Sequence, residues 1–251
     1  DKPVQLALAE ADRRAGAADQ AIAVYDRVLA ADPKSLDAKE GKALALIAKG
    51  DFSTPGPLLD EVMHADPRRW KTLNAMGILL TTRNMPKEAQ QYFREAQQQN
   101  PSSAAVANNL GLSLALSRNY SESVDTLKQA ASMAATPFEH KRIDLNTALV
   151  LAISGNLREA KAITSRYYSG AALHNNMGLY AHLAKDDKIA KSYLNMALTE
   201  SKTFYKKAWD NMQAIDEDDA PETKTPVKKT SSGEGDDSLD AIVGSTGKSK
   251  K

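Results

Sequence analysis

The side chains able to do proton, metal or nucleophile chemistry are few and scattered. The chain has four histidines, His64, His140, His174 and His182, and no cysteine. No two of the histidines stand three or four residues apart, the spacing that puts two ligands on one helical face, and there is no HExxH. His174 and His182, two turns apart on one expected helix, read as surface or groove residues. The glycines form neither a phosphate loop nor a dinucleotide fingerprint, and no GxSxG elbow occurs. The doublets Asp218-Asp219 and Asp236-Asp237 fall in a polar segment with no pocket to shift their acidity. No residue is expected to be catalytic, and neither a cofactor nor a metal is expected. What remains is the chemistry of recognition, carried by asparagines and leucines at recurring positions.

Those positions are set by a repeat. Asp32-Pro33, Asp66-Pro67 and Asn100-Pro101 return at a step of 34 residues. A period of 34 punctuated by Asp/Asn-Pro is the signature of tetratricopeptide (TPR) repeats, each a pair of antiparallel helices, A and B. Six units start near Lys2, Leu36, Trp70, Ala104, Lys141 and Ala171. Their eighth residues are small: Ala9, Ala43, Gly77, Gly111, Ala148 and Gly178. Helix A must approach helix B closely there. Ala21, Ala89, Ser123, Ala160 and Ala190 repeat the logic on helix B, with bulky Tyr25, Leu59, Phe93, Leu127 and Leu194 placed to fill the space between hairpins. Gly16, Gly50 and Gly155 mark the turns between helices. Pro55 and Pro57 predict a late start for the second helix B, capped by Ser53 or Thr54. Phe138–His140 reads as an inserted linker after Pro137.

The expected fold is all-α: a right-handed TPR superhelix of about six helix-turn-helix repeats, with a capping helix over KTFYKKAWDNMQAID and a disordered tail. The solenoid spans 1–215 and the polar tail 216–251, where Asp, Glu, Lys, Ser, Thr, Gly and Pro dominate. Leu239–Val243 is an apolar island in that tail, either incidental or a short docking motif. The formal net charge is +1, and no Lys/Arg block interleaves with aromatics, so nucleic acid is not expected as a partner. No stretch approaches eighteen consecutive apolar residues, the length of a membrane span.

In TPR proteins helix A lines a groove, at roughly the second, fifth, sixth, ninth, twelfth and thirteenth residues of each unit. The matching positions here give Asn74, Ile78, Asn108, Asn109, Leu112, Leu116, Arg142, Asn146, Leu149, Ile153, Asn175, Asn176, Leu179 and Leu183 as a partner-binding groove, with His182 beside them. Asparagine offers a donor and an acceptor, which suits clamping a peptide backbone. The same asparagines also serve to order the hairpin, and both roles stay open. The leucines are expected to face the hollow and form an apolar interaction surface. Lys71 and Arg142 alone are basic at the second place, too few for the clamp that chaperone-binding TPR proteins close on acidic C-termini.

Within this class, residues 70–198 resemble the TadD family, TPR lipoproteins of the tight-adherence (Flp) pilus secretion apparatus of bacteria. The likeness rests on NNLGLSLALSRNYSESVDTLKQAA (Asn108–Ala131), RIDLNTALVLAISGNLREAKAI (Arg142–Ile163) and a third Asn-rich helix. Departures are Arg118 where the family often has glycine, Asp144 near a usual asparagine, and the long tail. The resemblance implies a non-enzymatic scaffold on the periplasmic side of the outer membrane. A lipidated cysteine upstream of Asp1 would anchor it, and its partner would be a pilus secretin or another envelope assembly protein. The alternative is a cytoplasmic co-chaperone or secretion chaperone shielding an apolar client segment.

Overall fold

A computed structural model describes residues 1–203 and 205–219. Thirteen helices and no strand occur among the described residues. In order they are α1 (Lys2–Arg14), α2 (Ala18–Ala31), α3 (Leu36–Ala48), α4 (Pro55–Ala65), α5 (Trp70–Thr82), α6 (Pro86–Gln99) and α7 (Ala104–Leu116). Then come α8 (Tyr120–Met133), α9 (Pro137–Ile153), α10 (Leu157–Thr164), α11 (Gly170–Leu183), α12 (Asp187–Glu200) and α13 (Lys206–Asp219). They divide into two compact units, Asp1–Arg118 and the residues from Asn119 on, so the boundary falls between the two helices of the fourth repeat. The tail from residue 220, including Leu239–Val243, lies outside the described residues. α13 runs to Asp219, four residues past the 215 boundary read from the sequence.

The punctuation explains the first unit. At Asp32, Asp66 and Asn100 the backbone leaves the helix at φ −140°, −147° and −141°. A following proline demands this extended conformation of its predecessor. The Asp32 and Asp66 carboxylates then accept from the amides of Lys34 and Arg68, closing side-chain turns. The turn from A to B is equally periodic. Gly16, Gly50, Asn84 and Arg118 all have positive φ, as do Gly155 and Lys185 in the second unit. A left-handed residue with a Cβ costs about 1–2 kcal/mol, so Arg118 and Lys185 hold a conformation that glycine takes without strain.

The small eighth residues are buried, and the space beside them is taken. A Cβ on Gly77 would stand closer than 3.0 Å to the Phe93 ring, and one on Gly178 would meet Leu194 as closely. Tyr25, Leu59, Phe93, Leu127 and Leu194 are all buried. Between α6 and α7, Gln90 donates to the Ser113 carbonyl at 3.1 Å and to the Ser117 hydroxyl at 2.9 Å. Ser113 in turn donates to the Pro86 carbonyl at 2.7 Å.

Two helix starts differ from expectation. α4 begins at Pro55 as expected, but neither Ser53 nor Thr54 caps it with its side chain. Asp51 instead gathers the amides and hydroxyls of both, and these hydrogen bonds, led by the Thr54 hydroxyl, hold its carboxyl well below the usual range. Pro57 falls at the third helical position, where its missing N–H has no helical acceptor to lose. Residues 138–140 are helix rather than linker. Thr136 accepts from the Glu139 amide at 3.1 Å while the Glu139 carboxylate accepts from the Ala135 amide at 3.0 Å. This near-capping box, with Pro137 at the first helical position, starts α9 four residues before the repeat register.

Candidate functional site

Within the first unit the A helices touch one another in sequence, α1 with α3, α3 with α5 and α5 with α7. The B helices α2, α4 and α6 make no such contact among themselves. Helices in close contact on one side and splayed on the other make that unit curve toward its A side. On this side Asn109 of α7 donates to Asn74 of α5 at 3.0 Å, and Asn108 donates to Asn109 at 3.3 Å. Asn108 is buried, so its amide serves the packing, whereas Asn74 and Asn109 are half-buried. Ile78 packs partly on the cluster of Ala89, Phe93, Leu110 and Leu114. Leu112 is half-buried and Leu116 is 48% exposed. These two leucines, one turn apart on α7, form the apolar part of the surface.

The second unit has the same order, α9 with α11 and α11 with α13. Asn175 is buried and accepts from Asn211 of α13 at 3.0 Å, while Asn176 donates back to the Ala172 carbonyl at 2.9 Å. Asn146 is buried. Arg142, Ile153, Leu179 and Leu183 are half-buried. Leu149 does not face a hollow. It is 5% exposed, in a cluster with Ala148, Leu151, Ala152, Ile163, Met177 and Tyr180. The reason is that α8, α10 and α11 all pack on α9, which is buried continuously from Ile143 to Ala152. His174 is likewise buried rather than at the surface, 3.0 Å from the Glu200 carboxylate and stacked on Tyr193. His182 pairs across the turn with Asp187 at 2.6 Å.

Two models described as tetratricopeptide repeat match the chain, over residues 12–77 and 75–140. The chain is a TPR protein. No curated protein matches its sequence. Among solved structures it is similar to PilF of Pseudomonas aeruginosa, with a TM-score of 0.60 and 18% identity over 86% of this chain and 97% of that one. It is also similar to PilW, described as a widely conserved type IV pilus biogenesis factor, with a TM-score of 0.64 and 18% identity over 85% and 97%. YrrB, described as a TPR protein with an unusual peptide-binding site, gives 0.52 and 16% over 75% and 97%. At such identities the likeness is one of fold.

The TPR register accounts for what the residue reading missed. Asn211 repeats the step that joins Asn74 to Asn109: a fifth-place asparagine accepts from the sixth residue of the next A-type helix. The segment holding Asn211 reads as a cap, yet α13 buries Ala208 and Ile215 as an A helix buries its third and tenth residues. A second omission is the contact that closes the short α10. Tyr167 donates to Asp144 at 2.7 Å, with Arg166 3.4 Å from the same oxygen. Burial first, and then the hydrogen bond to Asp144, push the Tyr167 hydroxyl up to about 12. Among the described residues no group of three or more acidic, histidine or cysteine side chains is placed to hold a metal ion, and no helix is long and apolar enough to cross a membrane.

Proposed function

We propose that this TPR protein is a non-enzymatic scaffold that holds a peptide or helix of another polypeptide against the A side of its repeats. The observation that carries the reading is the pairing, on α5 and α7, of partly exposed amides at Asn74 and Asn109 with the uncovered Leu112–Leu116 edge. Amides bind backbone without regard to side chain, and an apolar edge beside them supplies the energy of burial. Half-buried Ile153, Leu179 and Leu183 give the second unit a similar face. Leu149 drops out of this surface.

The setting we favour is assembly of a pilus or secretion apparatus in the bacterial envelope. Two supports point there: the TadD-like motifs of residues 70–198, and the fold shared with PilF and PilW. The partner is then an envelope assembly protein such as a secretin, and the place the periplasmic side of the outer membrane. Photo-crosslinking in cells from a reactive residue at position 116, with position 88 on the exposed B side as control, tests the reading. A discrete adduct from 116 and none from 88 is expected. An adduct from 88 alone, or none from either position, overturns it.

A further inference from the structure

The B side of the first unit carries a feature that the A-side scaffold does not use. α4 and α6 make no close contact, and the gap between them is a groove of 470 Å³. Its floor is Leu73 of α5, buried, with Met63 and Tyr92 packed partly onto the same cluster. Asp60 on α4 and Glu95 on α6 stand one on each helix that walls it. Several other carboxylates of this unit are matched, Glu10 with Arg13 and Arg14, Asp19 with Lys49, Asp26 with Lys42 and Asp37 with Arg69. Asp60 and Glu95 have no cation among the described residues, and both are exposed.

We propose that this groove receives an arginine, flanked by apolar residues, from a segment of a partner protein. The volume suits one or two side chains rather than a whole helix. An apolar floor under an acidic rim calls for a side chain that is apolar along its stem and cationic at its tip. Arginine fits better than lysine, because its planar fork pairs with carboxylates and stacks on an aromatic face such as Tyr92. This site is separate from the A-side surface, so either can fail without the other.

The test is fluorescence anisotropy at pH 8 with the full chain and a fluorescein-labelled twelve-residue peptide holding one arginine between leucines. Binding is expected to weaken about tenfold in the Asp60→Asn, Glu95→Gln double variant and to fall with added salt. It should be unchanged in Asp12→Asn, Glu88→Gln, which removes two other unmatched carboxylates of the same unit. A lysine-for-arginine peptide should bind more weakly. No binding, or equal loss in both double variants, overturns the proposal. If a peptide copying residues 240–251 of this chain binds and the arginine peptide does not, the occupant is the chain's own tail and the proposal also fails.

Discussion

Replacing Leu149 by alanine is expected to destabilise the protein by about 2–5 kcal/mol, whereas Leu116→Ala costs less than about 1 kcal/mol. Both positions are apolar and both match groove-lining places of the repeat, so sequence treats them alike. The difference is burial. Leu149 fills space among Met177, Tyr180 and Ile163, and its loss leaves a cavity that α8, α10 and α11 cannot collapse together. Leu116 is nearly half in water already. Urea unfolding followed by far-ultraviolet circular dichroism separates the two. Equal midpoints for both variants would place Leu149 on a surface after all.

The second large effect is at Gly77. Alanine there should cost about 1–3 kcal/mol, even though alanine in place of an interior helical glycine is ordinarily worth about 1 kcal/mol in favour. The added methyl falls among the ring atoms of Phe93, which is itself fully enclosed. Either the ring leaves its rotamer or α5 and α6 move apart. Shrinking the ring side chain should then rescue: Gly77→Ala with Phe93→Leu is expected to be less destabilised than the sum of the two single changes. Strict additivity would show that the steric contact is not what matters.

Much of this architecture was legible because a few residues have only one use. The prolines after Asp32, Asp66 and Asn100 end helices by stereochemistry alone, and the starts at Lys2, Leu36, Trp70 and Ala104 follow from the period. The eighth-place residues need only volume to be understood. What was hidden depends on partners that the period does not reveal. Thr136 and Glu139 begin α9 through a reciprocal bond to backbone, and Phe138 between them looks like linker. Asp51, not its hydroxyl neighbours, organises the turn before α4, because a carboxylate can accept from four donors where a hydroxyl accepts from one or two. The asparagines are the most instructive. Their recurrence was plain, but bonding between successive A helices shows only in space: Asn74 with Asn109, Asn175 with Asn211. Part of their hydrogen-bonding capacity therefore orders the array, which leaves Asn74 and Asn109, half-buried, as the pair best placed to meet a partner.

The A-side surface is tested most directly by the affinity of a captured partner segment for the Leu112→Ser, Leu116→Ser variant. Wild type and variant should show the same helix content and closely similar unfolding midpoints, since little of either side chain's environment is core. Titration of the labelled segment should nevertheless give a dissociation constant at least about tenfold weaker for the variant, because apolar anchors commonly carry a large share of interface energy. An unchanged dissociation constant in a folded variant would contradict the account.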